Sequence, residues 1–210
     1  MTTDVLIRLL ASDARLRTHL GTRIALALLG GAVCALGLLV ALFGLRPGLG
    51  QVLMTPTAAK TLVPLVTAGA ALWTVHLAAR PAAPMRPAAR ALGAVVALIA
   101  CGFVVLGILG GAEGLQRGLG NPMMMMCFTS VLLISAPILV PLLGALRSGA
   151  NLDPARSGAL AGIVAGAAGA AIYSLACDQD DALFVIPTYS GAVVALALAG
   201  AFVGQFTLRL

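Results

Sequence analysis

Six apolar stretches of roughly twenty residues run along the chain, at Thr22–Gly44, Ala58–Ala79, Ala89–Gly110, Met123–Leu146, Ser157–Ala176 and Pro187–Leu208. A hydrocarbon core about 30 Å thick needs roughly 20 apolar residues in a helix, so each stretch predicts one transmembrane span. The breaks between them are polar and turn-forming: Arg46-Pro47-Gly48, Arg80-Pro81, Gly118-Leu119-Gly120-Asn121-Pro122, Asn151-Leu152-Asp153-Pro154 and Cys177-Asp178-Gln179-Asp180-Asp181. The pattern predicts an all-α integral membrane fold. Residues 22–208 would form a six-helix transmembrane bundle, and residues 1–21 a short cytoplasmic N-terminal amphipathic helix. The first span is too long for a signal h-region and follows about twenty structured residues, so it is not expected to be cleaved.

Composition supports the membrane and narrows the packing. Of 210 residues, 60% are hydrophobic and 10% charged, whereas a soluble domain carries about 25% charged residues. Small residues suit helices that approach closely in lipid. Gly158, Gly162 and Gly166, and the pair Gly200 and Gly204, recur at four-residue spacing and predict helix-packing ridges.

Charge sets the orientation. With the N-terminus inside, Arg8, Arg15, Arg17, Arg23, Arg80, Arg86, Arg90, Arg147, Arg156 and Arg209 lie on the inner side, leaving only Arg46, Lys60 and Arg117 of the 13 basic residues outside. Lysine and arginine collect on the cytoplasmic side of membrane proteins. Both termini are therefore expected in the cytoplasm, with the acidic loop Asp178–Asp181 in the periplasm of a bacterial inner membrane. The basic residues are scattered between spans, which fits topology and lipid contact rather than direct nucleic-acid binding.

The chemistry of the spans is sparse. All seven acidic residues lie outside them, whereas pumps and ion-coupled transporters usually bury carboxylates along the pathway. His76 sits four residues from Arg80 and reads as an interfacial imidazole. No Ser/His/Asp arrangement, HExxH or phosphate loop appears. Neither an enzyme nor a cofactor is predicted.

The four cysteines stand at 34, 101, 127 and 177, with no CxxC spacing. Cys127 lies five residues into the fourth span and Cys177 closes the fifth, so both are expected near the outer interface on hairpin-linked helices. Cys34 and Cys101 fall near mid-span. The outer pair reads as a disulfide, a redox-sensitive dithiol or a transient soft-metal site in an oxidising compartment. The alternative is that all four are small apolar packers. Met123 and Met124 precede Cys127 by four and three residues and share its helix face, a soft-ligand set for thiophilic metals. Lipid-facing methionines are the commoner explanation.

Residues 2–20 read TTDVLIRLLASDARLRTHL. Val5, Leu6, Leu9, Leu10 and then Leu16 and Leu20 recur at helical spacing, with Arg8, Arg15 and Arg17 on other faces. Thr3 or Asp4 can cap the start, and Ser12-Asp13 offers an interruption. Such a segment lies on an anionic leaflet or presents its leucines to a soluble partner.

Taken together, the outer cysteines, the short tail and the six spans resemble the NrsF family of bacterial membrane anti-sigma factors. The resemblance runs through nearly the whole chain. It rests on Cys127 opening a span, the Gly/Ala-rich stretch Ala155–Gly166, and Ala170–Phe184, AAIYSLACDQDDALF. Further matches are LLASDAR near the N-terminus, Lys60 opening the second span and Arg80-Pro81 closing it. The chain departs from the family at Pro187-Thr188-Tyr189, where an aromatic pair is usual, and at Arg209-Leu210, where Arg-Trp is usual. The resemblance implies a protein that holds an ECF-type sigma factor at the inner face and releases it when periplasmic cysteines meet heavy metal or oxidant. It implies Cys127 and Cys177 as the sensor pair, and residues 2–20, through Val5, Leu6, Leu9, Leu10 and Leu16, as the sigma-factor contact. Cys34 and Cys101 match no family motif. The competing readings are a membrane thiol-redox protein, a small transporter and a structural membrane subunit.

Overall fold

The computed structural model describes residues 3–52, 54–78, 85–149 and 153–208, without the side chains of residues 3–19, 51 and 52. In chain order the elements are α1 (Thr3–Leu42), the short α2 (Leu49–Val52), α3 (Ala59–Ala78, entered through a 3-10 turn at Pro56–Ala58), α4 (Arg86–Leu119), α5 (Met124–Leu146), α6 (Pro154–Tyr173) and α7 (Ala182–Thr207). Six helices are long and apolar enough to cross a membrane; in α1 the qualifying part is Leu20–Leu42. Large apolar side chains such as Leu29, Val33, Leu98, Leu109, Val140 and Leu198 face outward, as a lipid-exposed surface requires. A helix satisfies its own backbone polar groups and can therefore present that surface to hydrocarbon.

The long helices alternate in direction. One end of the bundle carries the segment after α1, the start of α3, Asn121 and the α6–α7 loop. At that end Arg46 N donates to Leu175 O at 3.0 Å, and Asn121 Nδ2 donates to Gln179 Oε1 at 3.4 Å. Cys127 and Cys177 both lie toward this end, the cysteine end of the bundle. At the opposite end Gly149 faces Leu20, and Gly204 faces Pro154 and Gly158.

Helix α6 sits at the centre, packed against α1, α3, α5 and α7. Its glycines make this possible. A Cβ on Gly158 would strike Gly200 O, and one on Gly162 would strike Leu196 O, so α6 and α7 meet backbone to backbone along the two glycine ridges. The buried Ser135 and Thr188 hydroxyls are satisfied within their own helices, Ser135 donating to Val131 O at 2.7 Å and Thr188 to Phe184 O at 2.7 Å. Helix α4 is peripheral and touches only α3 and α7 extensively.

Four boundaries differ from the sequence expectation. Helix α1 runs unbroken through Ser12-Asp13; without Gly or Pro there, cooperative propagation outweighs the local competition from Ser and Asp. Helix α4 does not end at Gly110 but continues to Leu119 across a break at Gly111, whose φ of 62° and ψ of −168° only glycine adopts readily. Helix α7 starts at Ala182, five residues before Pro187, because Asp181 caps it by accepting Leu183 N at 3.0 Å. Finally, α6 stops at Tyr173, so Cys177 lies beyond the helix. The chain tightens into Leu175 N to Ile172 O and Ala176 N to Tyr173 O bonds of 3.1 and 3.0 Å. The carbonyls of Leu175 and Cys177 are then taken by groups from elsewhere in the fold.

Candidate functional site

Cys127 is placed by the start of α5. Asn121 turns the chain by accepting Met123 N on its side chain at 3.0 Å and Met124 N on its carbonyl at 3.1 Å. This delivers Cys127 one turn into the helix, facing the core. Cys177 arrives from the turn after α6. The two residues are 2% and 4% exposed and belong to one apolar cluster with Phe184, Tyr173 and Tyr189. Neither thiol is in a disulfide, and the two residues are members of the same buried cluster. The structure thus brings Cys127 and Cys177 together. Cys34 and Cys101 stay on the outside of α1 and α4.

Two tyrosines flank the thiols. Tyr173 Oη donates to Cys127 Sγ at 3.4 Å. Tyr189 packs edge-on against Tyr173 with ring centroids 6.3 Å apart. Its buried hydroxyl interacts electrostatically with Cys177 yet closes no hydrogen bond. An unpaired buried hydroxyl costs about 1–3 kcal/mol. Phe43, at the end of α1, covers Tyr173 from the other side at 5.6 Å.

The Cys177 loop is held by two cations from distant elements. Lys60, on the first turn of α3, donates to Cys177 O at 2.6 Å, to Gln179 O at 3.2 Å and to Asp180 Oδ1 at 2.7 Å. Arg46 pairs with both Asp180 oxygens at 2.8 Å. The Arg46 hydrogen bond, with Lys60 behind it, holds the Asp180 carboxyl down at about 2, and Asp180 in turn raises Arg46. Thr61 and Ser174 add a hydroxyl pair at 2.7 Å.

These surroundings keep the Cys177 thiol below the ordinary thiol range. The hydrogen bond from Cys127 contributes most; burial opposes it, while the Gln179 backbone, the Tyr189 hydroxyl and the Lys60 charge assist. A thiol poised to lose its proton next to a second thiol is suited to bind a thiophilic cation or to form a disulfide. Met124 packs against the same cluster, and Met123 Sδ accepts Gln179 Nε2 at 3.8 Å. Among the described residues no group of three or more His, Cys, Asp or Glu side chains could hold a metal. The soft donors here are the two thiols and the neighbouring thioethers of Met123 and Met124.

Several residues of the site escaped the sequence reading. The sequence marks Arg46 as part of a turn and an outer-side charge, Lys60 as an outer-side charge and a family match opening the second span, and Asp180 as part of an acidic loop, but nothing in it brings the three together. A signal for the tyrosines was available: the chain has just 2, and both stand beside the dithiol. The proposed contact residues Val5, Leu6, Leu9, Leu10 and Leu16 have side chains outside the described residues.

A bundle of six helices long and apolar enough to cross a membrane, with two buried cysteines at one end, defines an all-helical polytopic membrane protein. Over residues 10–210 the chain matches the family described as NrsF, negative regulator of sigma F. It is 30% identical over 214 residues to the anti-sigma-F factor NrsF of Caulobacter vibrioides (strain NA1000 / CB15N), with 100% of both chains covered. No solved structure matches. The chain belongs to the NrsF family and is a negative regulator of a sigma factor, with a regulatory rather than a catalytic role.

Proposed function

We propose that this protein is an inner-membrane anti-sigma factor that holds an ECF-type sigma factor at the cytoplasmic face and releases it when Cys127 and Cys177 meet heavy metal or oxidant. The observation that supports the reading is that these two buried cysteines share one apolar cluster at one end of the bundle. That end bears Arg46, Lys60 and Arg117, whereas among the described residues Arg23, Arg86, Arg90, Arg147 and Arg156 lie at the opposite end, an asymmetry that supports placing the cysteine end in the periplasm and both termini in the cytoplasm. Residues 1–21 are the cytoplasmic segment and residues 22–208 the membrane domain. Val5, Leu6, Leu9, Leu10 and Leu16 make the sigma-factor contact.

A divalent thiophilic cation bound by both sulfurs displaces two thiol protons. Disulfide formation releases two protons and passes two electrons to the oxidant. Either new link draws Cys177 toward α5. A stimulus that shifts a resting population from 1:99 to 99:1 must favour the released state by about 5.5 kcal/mol, a scale within reach of a metal–thiolate site.

The test is copurification of the full-length protein with its sigma factor, before and after a thiophilic metal is added to the cells. The wild type is expected to lose the sigma factor on treatment, whereas Cys127→Ser and Cys177→Ser retain it. Equal release from the serine variants overturns the sensor assignment. Absence of a sigma factor from the untreated sample overturns the function itself.

A further inference from the structure

Between α1 and α3, toward the end of the bundle away from the cysteines, lies an open groove of about 350 Å³. Each of these helices is seated elsewhere, α1 on α5 and α3 on α6, and among the described residues the two have no extensive contact with each other. Small residues keep the walls apart. Gly21 and Ala25 line the groove from α1 and Gly69 lines it from α3, and a Cβ on Gly69 would meet nothing within 4 Å. The floor is apolar: Ile24, 4% exposed, belongs to the core cluster of Val75, Leu142 and Leu146. Trp73, the one tryptophan of the chain, stands in the α3 wall and is 47% exposed. His76 borders the end of the groove, its Cε1 3.7 Å from the place a Cβ on Gly21 would take.

We propose that this groove holds one acyl chain of an anionic phospholipid, with the headgroup at the level of Arg17 and His76. The lining runs from Gly21 to Leu28 on α1 and from Gly69 to His76 on α3, about 10 Å of each helix. That is most of one leaflet's share of a hydrocarbon core about 30 Å thick. Farther along, α1 closes onto α5, where a Cβ on Gly31 would lie 2.7 Å from Pro137 O. A membrane helix from a second copy would run through both leaflets, and a single turn about 10 Å across fills roughly 420 Å³. The groove is too short and too small for it, whereas a hydrocarbon chain is thin enough to enter.

Charge selects the headgroup. Position 17, an arginine, precedes Gly21 by one turn on the groove face of α1, just before the apolar part that begins at Leu20. Among the described residues, the acidic side chain at this end is Asp153, and it is paired with Arg156 at 3.0 Å. Basic pockets between membrane helices take anionic headgroups, and a tryptophan ring suits the boundary between hydrocarbon and headgroup. With the cysteine end outside, the lipid belongs to the cytoplasmic leaflet. Seated there, it joins α1 to α3 where protein contacts do not.

The test uses Trp73 as the reporter, in full-length protein reconstituted into phosphatidylcholine vesicles. A minority of the lipid carries bromine on its acyl chains, a contact quencher of tryptophan, and is either phosphatidylglycerol or phosphatidylcholine. Brominated phosphatidylglycerol is expected to quench as if enriched about fivefold over brominated phosphatidylcholine, the preference that one basic residue near a membrane surface confers. Arg17→Gln should abolish the preference by removing the charge, and Gly69→Leu by filling the groove. Arg23→Gln, on the opposite face of α1, should retain it. Equal quenching by the two lipids in the wild type overturns the inference, as does a preference that survives Arg17→Gln or Gly69→Leu. Loss in Arg23→Gln would mean diffuse surface charge in place of a site, which overturns it too. Weak quenching by both lipids, with a dimer captured by crosslinking, would give the groove to a second copy and overturn it likewise. Should Gly69→Leu fail to fold, the wild type and Arg17→Gln decide. No arm involves a cysteine or a sigma factor, so failure here leaves the proposed function standing.

Discussion

Lys60 Nζ lies 2.6 Å from the carbonyl oxygen of Cys177, although 117 residues separate the two in the chain. The Lys60 side chain is 7% exposed, so its charge is balanced by the loop rather than by water. A buried cation satisfied by two carbonyls and one carboxylate fixes the loop backbone, and with it the direction of the Cys177 side chain. The same lysine begins α3, so displacing Cys177 strains two elements at once.

Replacing Lys60 with Met keeps most of the apolar stem and removes the three donors. Hydrogen bonds to charged groups contribute about 1.5–3 kcal/mol each, but the loop oxygens regain water at the bundle end, so the net loss is expected near 2 kcal/mol. Thermal unfolding in detergent should show it as a lower midpoint. Hydrogen exchange should show faster amides around residues 175–180 and little change in α5. Unchanged exchange in that loop would mean that Lys60 does not hold it.

Asp180 predicts a pH dependence with a definite sign. Its folded carboxyl sits at about 2, against 3.8 for an unperturbed one. The folded value is the lower, so its contribution is complete above the unfolded value and is lost as pH falls through the folded one. The wild type should therefore lose stability between about pH 4 and pH 2 more steeply than Asp180→Asn, the two curves converging at the acid end. Parallel curves across that window would show that the Arg46 and Lys60 pairs contribute nothing to folding.

How far the sequence reveals this arrangement depends on the range of the forces involved. Six spans were legible because hydropathy over about twenty residues is a local sum, and the glycine ridges because helical period is local too. Boundaries failed where a local signal was outweighed. Pro187 resembles a helix start, but the Asp181 cap begins α7 earlier. Cys177 seemed to close a helix, but Arg46 and Lys60 claim the carbonyls that would have continued it. The meeting of Cys127 and Cys177 followed from hairpin geometry, since their helices are adjacent in sequence. The convergence of Arg46, Lys60 and Asp180 did not, because no local pattern ties residues more than a hundred positions apart.

The glycine ridges carry the last prediction. Any signal passing from the Cys177 loop along α6 and α7 requires these helices to move as one body, and their contact is backbone on backbone at Gly158, Gly162, Gly200 and Gly204. A methyl group on Gly162 would meet Leu196 O and lie 2.7 Å from Ala197 Cα, and neither atom belongs to a flexible side chain that can swing aside. Gly162→Ala must therefore separate the helices, at a cost of about 1–3 kcal/mol or more for overpacking. Gly93→Ala on peripheral α4 is the control, because nothing lies within 4 Å of its Cβ position. It should leave the unfolding temperature unchanged or raise it slightly, by up to about 1 kcal/mol of helix propensity. Size-exclusion thermostability of the two variants in one detergent makes the comparison. Equal behaviour would show that α6 and α7 are not closely seated, and a rigid α6–α7 unit would then no longer be available to connect the two ends of the bundle.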